Sequence, residues 1–361
     1  MHLAYVDARI ENYRSALLSE LRTKFERVSV VANFQGEKIE KTYSYLLREK
    51  SLSIFSRKVV YFSSVYSTLL KLKPDLILTG DLGLRTLLCL LYAKKNSIPI
   101  YVWARLTIWS ERKIRLPRKL LRRAILSRVS GVIVNGKDGS NYINSVYPCS
   151  THILYQSSTH SRLIESRIMV RKSEVVRWTY VGRLVEEKGL KNFMVSLAGV
   201  DPKLRAKLNL DFVGVGKLYS WLEEYSQEND IQIKLHGKLD GDEIIQLLDI
   251  SDFLIFPSLG DEWGLAVVEA MNRGVPIIGS SKAGVINELS SFGDFGKVFD
   301  PYSQDQLSVV IHDALLIKQE KLQFYSDESL RVAKLLELQP SRMAQKIHDI
   351  TTMQSVYLLD K

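Results

Sequence analysis

Short, almost wholly apolar runs alternate along the chain with longer stretches whose apolar positions recur every three or four residues. "VSVVANF" (28–34), "DLILTG" (75–80), "IPIYVW" (98–103) and "GVIVNG" (131–136) read as parallel strands buried on both faces. Between them, "NYRSALLSELRTKFE" and "GLRTLLCLLYAKKN" have the spacing of amphipathic helices. This βαβ series predicts an α/β sheet covered by helices. Residues 157–174, "SSTHSRLIESRIMVRKSE", are polar and weakly periodic and read as a linker. A second series follows: "WTYVGR" (178–183), "LDFVGVG" (210–216), "IQIKLHG" (231–237), "DFLIFP" (252–257) and "VPIIGS" (275–280), with helices such as "KLYSWLEEYSQEN" and "DEIIQLLDIS" between. The pattern therefore predicts two Rossmann-like domains, 1–165 and 174–338. Four of the five later strands end in Gly, Arg or Pro-Ser. Ligands in such sheets lie beyond the carboxyl ends of the strands, and small residues there allow close approach. The carboxyl end is helical with a break at Pro340.

Composition narrows the class. The 361 residues carry 46% apolar and 25% charged side chains, as expected of a globular protein with two domains' worth of core. A formal charge of +10 points to an anionic partner: a phosphorylated ligand, an acidic membrane surface or nucleic acid. Cys89 and Cys149 supply no disulfide framework, which suits a reducing cytosol. "MHLAYVDARIENYR" has no h-region, so no secretory leader is expected, and the longest apolar run, "TLLCLLYA", is far too short to span a bilayer. A cytoplasmic protein, free or peripheral on the inner membrane face, is expected.

Candidate chemistry concentrates in the second half. "SLGDEWGLAVVEAMNRG" (258–274) places Asp261 in a strand-end loop, Gly264 at a helix start and Glu269 within an otherwise apolar helix. Backbone N–H groups at Gly264, Leu265 and Ala266 form an anion-binding helix end, and a vicinal diol suits a carboxylate such as Glu269. The plainer alternative makes Asp261 a helix cap and Glu269 half-exposed. "YVGRLVEEKGL" (180–190) ends a strand with Gly182-Arg183 and sets Lys188 before a helix; a guanidinium fork and a mobile ammonium suit phosphate. "VGVGKL" adds Gly214 and Gly216 but lacks the rest of a dinucleotide fingerprint.

Taken together, "VGRLVEEKGL", "FVGVGKL", "LHGKL", "DFLIFPS" and "DEWGLAVVEAMNRGVPIIGS" resemble the donor half of a GT-B retaining glycosyltransferase of family 4, the glycosyl transferases group 1. The resemblance implies two Rossmann-like domains facing across a cleft, with residues 341–361 as a helix crossing back to the first. It implies a retaining transferase that takes a nucleotide diphosphate-sugar, UDP- or GDP-linked, to a saccharide or lipid-linked acceptor in envelope or exopolysaccharide synthesis. The family's acidic-x7-Glu element falls on Asp261 and Glu269, with Asp in place of the usual Glu, a reach about 1.5 Å shorter. By the same resemblance Arg183 and Lys188 neutralise the diphosphate, and Gly264 to Ala266 hold one phosphate. Glu269 takes the ribose and Asp261 the donor sugar. Lys238 and Leu239 border the base, while Trp263 and Gly284 lie near the donor. No metal or other cofactor is expected, the cations serving in its stead.

"DGD" (240–242) mimics a metal motif but precedes a helix and reads as a cap. The six histidines lack metal spacing, and His236 reads as structural or loop-orienting. In the first half the family's Gly-Gly loop is missing; "VDARIENYR" carries Tyr13-Arg14 instead, and Arg105, Glu111 and Arg112 remain alternatives for an acceptor contact. Asp81 is either a site carboxylate or a helix cap. Between 105 and 128, Arg105, Arg112, Arg118, Lys119, Arg122 and Arg123 interleave with leucines, predicting a surface for the acceptor or anionic lipid. The alternative is a solvated helix face. A DNA-modifying glucosyltransferase or a nucleotide-sugar epimerase of the same fold are the rival functions. The leucine-rich basic segment lacks stacking aromatics, and the first half is poor in acid–base residues.

Overall fold

The computed structural model describes residues 1–37, 39, 44–47, 50–54, 57–61, 63–111, 114–160, 162–169 and 174–359. They fall into two compact units, Met1–Thr159 with Pro340–Lys361, and His160–Gln339.

In the first unit β1 (His2–Ile10) leads through a 3-10 turn at Asn12–Arg14 into α1 (Ser15–Lys24). Then come β2 (Arg27–Gln35), β3 (Ser44–Leu46), the hairpin β4 (Lys50–Ile54) and β5 (Arg57–Tyr61), α2 (Ser63–Leu72) and β6 (Leu76–Thr79). The series closes with α3 (Leu84–Asn96), β7 (Ile100–Ala104), α4 (Leu116–Leu126), β8 (Gly131–Val134), α5 (Lys137–Val146) and β9 (Thr151–Ile153). Seven strands form one parallel sheet in the order β3-β2-β1-β6-β7-β8-β9. Their residues alternate between two cores. Ala4, Val6, Ile77 and Val102 face α2, α3 and α5, whereas Leu3, Tyr5, Leu78 and Trp103 face α1.

The second unit runs β10 (Val176–Val181), α6 (Leu190–Ala198), α7 (Pro202–Arg205), β11 (Leu208–Val213), α8 (Tyr219–Glu228) and β12 (Ile233–Gly237). It continues with α9 (Gly241–Asp249), β13 (Phe253–Phe256), α10 (Leu265–Asn272), β14 (Ile277–Ser280), α11 (Gly284–Leu289) and β15 (Gly296–Phe299). Helices α12 (Gln304–Leu315) and α13 (Gln319–Leu335) complete it. Its six parallel strands run β12-β11-β10-β13-β14-β15 around a core of Trp178, Phe193, Phe212 and Phe253. Each sheet thus reverses its strand order once, between β1 and β6 and between β10 and β13. Those reversals open the crevices where doubly wound sheets take ligands.

The final helix, α14 (Pro340–Leu359), belongs to the first unit: Met343, Ala344 and Ile347 join Leu17, Leu18 and Leu21 of α1 in one core. The division between units falls at Thr159/His160, not in a free linker ending near 174. Thr159 donates its N–H to Tyr13 O (2.9 Å) on one side. On the other, Ile164 N bonds Asn272 O (3.0 Å), and Arg167 donates to Leu248 O, Asp249 O, Ser251 O and Arg273 O at 2.7–3.1 Å. The carbonyls that end α9 lack partners within their helix, and Arg167 supplies them.

Candidate functional site

At the β10/β13 reversal three loops are stitched together. Leu259 N and Ser258 Oγ both donate to Glu187 O (3.0 and 3.2 Å), tying the loop after β13 to the 3-10 turn Glu186–Lys188. Gly189 ends that turn at φ +68°, and a Cβ there would stand 2.0 Å from Pro257 O, so only glycine lets the two loops meet. Gly214 sits at φ +138° with Gly182 O 1.9 Å from where its Cβ would be. Glycines that the sequence suggested as ligand-approach positions thus serve first to let strand-end loops pack on one another. Gly216 lies against Leu184 O, and Gly284 against Glu262 O, in the same way.

These contacts bring Lys188 and Asp261 together. The Lys188 ammonium donates to the Asp261 carboxylate, with the Phe256 ring centroid 5.6 Å from the ammonium. Asp261 is no helix cap. Its backbone bonds to Lys282 O (3.2 Å) and from Gly284 N (3.1 Å), joining the loops after β13 and β14. Gly264 at φ +129° opens α10, so Leu265 and Ala266 precede the first intrahelical bond, which runs from Val267 N to Gly264 O (3.1 Å). Glu269, one turn further, is buried at 8% exposure, not half-exposed, and Trp263 is buried beside the helix start. Arg183 is exposed on the loop after β10. Its carbonyl accepts from the buried Tyr180 hydroxyl (2.7 Å), and burial with the nearby Asp261 charge pushes that phenol's pKa up. Lys238, exposed, and Leu239 follow β12 along the same carboxyl edge. Asp240 caps α9 in a full capping box with Glu243, and His236 Nε2 sits 2.6 Å from Asp211 Oδ1, a structural pairing. Among the described residues no cluster of three or more His, Cys, Asp or Glu could hold a metal ion.

The reversal between β1 and β6 carries a different cluster. Asp7, on β1 and 2% exposed, accepts from Arg105 Nη2 (2.7 Å), which also bonds Gly80 O (3.0 Å). Arg14, equally buried, donates to the Tyr5 hydroxyl, lies 3.9 Å from Asp7 Oδ2 and stacks 4.6 Å above the Trp103 ring. Burial raises the Asp7 pKa against the pull of Arg105, and burial lowers that of Arg14. Asp81 accepts from Gly83 N (2.9 Å) and Arg85, bracing the loop that leads into α3, whose cap is Gly83.

Comparison with known proteins bears on the second unit most directly. Residues 166–328 match the model of the family described as glycosyl transferases group 1. The second unit is a glycosyl transferases group 1 domain. Sulfoquinovosyl transferase SQD2 of Arabidopsis thaliana is 26% identical over 278 residues, 69% of this chain and 52% of that protein. The chain spans about half the length of the curated relatives it matches. Among solved structures, Anabaena HepE in complex with UDP and glucose superposes at TM-score 0.76 with 15% identity, covering 98% of this chain and 100% of that one. WaaG, a glycosyltransferase involved in lipopolysaccharide biosynthesis, gives 0.76 at 16%, covering 97% and 99%. The fold is that of the GT-B glycosyltransferases, two parallel sheets with flanking helices.

Beside the glycosyltransferase domain, the basic segment of the first unit resolves into unlike parts. Arg118, Lys119 and Arg123 are exposed on α4 with Leu116 and Leu120. Arg122 is not a surface residue. It is 6% exposed, held to both oxygens of Glu111 (2.6 and 3.1 Å) and to the Tyr142 hydroxyl, because it lies on the helix face bearing Ile125 and Leu126. Arg105 also departs from the basic patch and belongs to the Asp7 cluster. Arg112 lies outside the described residues. Sequence reading missed Asp7 and Tyr180. Asp7 was visible as a carboxylate directly after the apolar run Leu3–Val6 of the first strand; Tyr180 looks like any aromatic core residue.

Proposed function

We propose that the chain is a retaining glycosyltransferase that moves a sugar from a UDP- or GDP-sugar to a saccharide or lipid-linked acceptor. The observation that carries this reading is the convergence of Lys188, Asp261, the Arg183 loop and the open first turn of α10 at one strand-order reversal, with Glu269 buried just behind. HepE binding of UDP and glucose, in the same fold, supports a nucleotide-sugar donor. Arg183, Lys188 and the α10 amino end hold the diphosphate, Glu269 the ribose and Asp261 the sugar. Lys238, Leu239 and Trp263 border the base and sugar.

In the reaction the anomeric carbon–phosphate oxygen bond breaks through an oxocarbenium-like state. The acceptor oxygen bonds that carbon on the face the phosphate leaves, and the acceptor's proton passes to the departing phosphate oxygen. Positive charge fixed around the diphosphate favours this leaving group, so turnover persists in EDTA. The exposed α4 face, with Leu116 (68%) and Leu120 (58%) among Arg118, Lys119 and Arg123, suits peripheral docking on anionic lipid. Among the described residues no helix is long and apolar enough to cross a membrane.

Titration and turnover with UDP-, GDP-, ADP- and TDP-sugars test the reading, with Glu269→Ala and Arg183→Ala beside the wild type. At least tenfold weaker binding in either variant is expected, about 1.4 kcal/mol. Wild-type protein that binds none of these sugars overturns it. For the docking face, a combined Arg118→Gln, Lys119→Gln and Arg123→Gln variant loses binding to phosphatidylglycerol vesicles while its donor affinity stays unchanged.

A further inference from the structure

Both partners of the Lys188–Asp261 pair are four-fifths buried, at 18% and 19% side-chain exposure, yet they are held very unequally. Asp261 is fixed from both sides of its backbone, through Lys282 O and Gly284 N. The turn that carries Lys188 is fixed too, by Lys188 N to Val185 O (3.0 Å) and by the bonds from Leu259 and Ser258 to Glu187 O. The four-carbon Lys188 stem carries its ammonium over a wide arc and re-aims its donors without backbone movement. The one-carbon Asp261 stem keeps its carboxylate close to the fixed loop.

We propose that the donor site works by ion exchange, in which a nucleotide diphosphate draws Lys188 from Asp261 and the donor's sugar hydroxyls replace the lost cation at that carboxylate. This rests on the donor-site reading above. A nucleotide without its sugar takes Lys188 but offers Asp261 nothing, and leaves a desolvated carboxylate beside two phosphates. Like charges brought together in a poorly solvated loop cost binding free energy. Asp261 therefore disfavours the bare nucleotide relative to the nucleotide-sugar. Once the sugar has left for the acceptor, the same carboxylate helps expel the spent nucleotide and closes back on Lys188. Asp261 is thus a device for telling substrate from product.

The test is the ratio of dissociation constants for UDP and UDP-glucose, with GDP and ADP and their glucose conjugates run in parallel, on the full chain by calorimetry. Wild type favours the sugar conjugate. Asp261→Asn, which keeps the shape and removes the charge, tightens the bare nucleotide about tenfold, or about 1.4 kcal/mol, and narrows the ratio. Asp261→Glu, which restores the charge, restores the wild-type preference and guards against a variant that merely misfolds. Equal weakening of both ligands by Asp261→Asn, or an unchanged ratio, overturns the exchange while the donor site stands if Arg183→Ala still weakens both. Wild type that binds none of the six ligands overturns the donor-site reading, and the exchange with it.

Discussion

The two strand-order reversals occupy equivalent places in their sheets and are built in opposite ways. At β1/β6 the charges are sunk into the core: Asp7 and Arg14 are each 2% exposed, and an aromatic layer of Tyr5 and Trp103 covers the guanidinium. At β10/β13 the cation and carboxylate are carried on loops, and the core beneath them is apolar. The first arrangement is rigid and costly to disturb. The second can exchange partners at little cost to the fold. A sheet reversal offers a crevice in either case, but charge sunk into the core is committed to structure, and charge held on the outer loops stays available to a ligand.

The largest consequence is for stability. Asp7→Ala strands the buried Arg14 guanidinium and frees the half-buried Arg105, and is expected to cost the first unit about 3–5 kcal/mol, read from hydrogen exchange of β1 and β6. Asp261→Ala, at the other reversal, leaves Lys188 on a flexible stem that can carry its ammonium to water and should cost less, about 1–2 kcal/mol. A loss at Asp261 as large as that at Asp7 would erase the contrast. Next in size is Gly189→Ala. The side chain meets Pro257 O in a left-handed conformation, so the second unit should lose about 1–3 kcal/mol together with donor affinity. If Gly189→Ala binds UDP-glucose like the wild type, the stitched loops are not what presents Lys188. The smallest effect is one of pH. Because burial raises the Asp7 pKa, the folded protein holds that proton more tightly than the unfolded chain does. This contribution is complete below the ordinary carboxylate range and fades as pH climbs through the raised value. The melting temperature of wild type relative to Asp7→Asn should therefore fall as pH rises above the ordinary carboxylate range. A flat difference would mean that Arg105 holds Asp7 ionised throughout.

How far the sequence reveals these features depends on the interaction that makes them. Strands buried along their whole length, such as Ile100–Ala104 and Phe253–Phe256, declare themselves because both faces are apolar, even where they are only four residues long. The edge strands Ser44–Leu46, Thr151–Ile153 and Gly296–Phe299 do not, being three or four residues long and mostly half-exposed. Arg122 reads as part of a basic surface and Arg167 as part of a linker because nothing in their neighbours' spelling announces a carboxylate eleven positions back or a row of helix-end carbonyls far along the chain. In the donor region, Lys188 and Asp261 stood out by residue type and spacing. Their pairing across 73 positions is a property of the fold.

The return of α14 to the first unit has a consequence for how the protein is made. The second unit is one unbroken stretch, His160–Gln339, and every residue of its core has been synthesised before Pro340 is added. The first unit draws Met343, Ala344 and Ile347 from α14, so the face of α1 that they cover stays bare until the chain has been made past Ile347. On the ribosome the order of completion is therefore the reverse of the order of synthesis. The half that emerges first waits, with Leu17, Leu18 and Leu21 uncovered, for the half that follows to finish folding and deliver its lid.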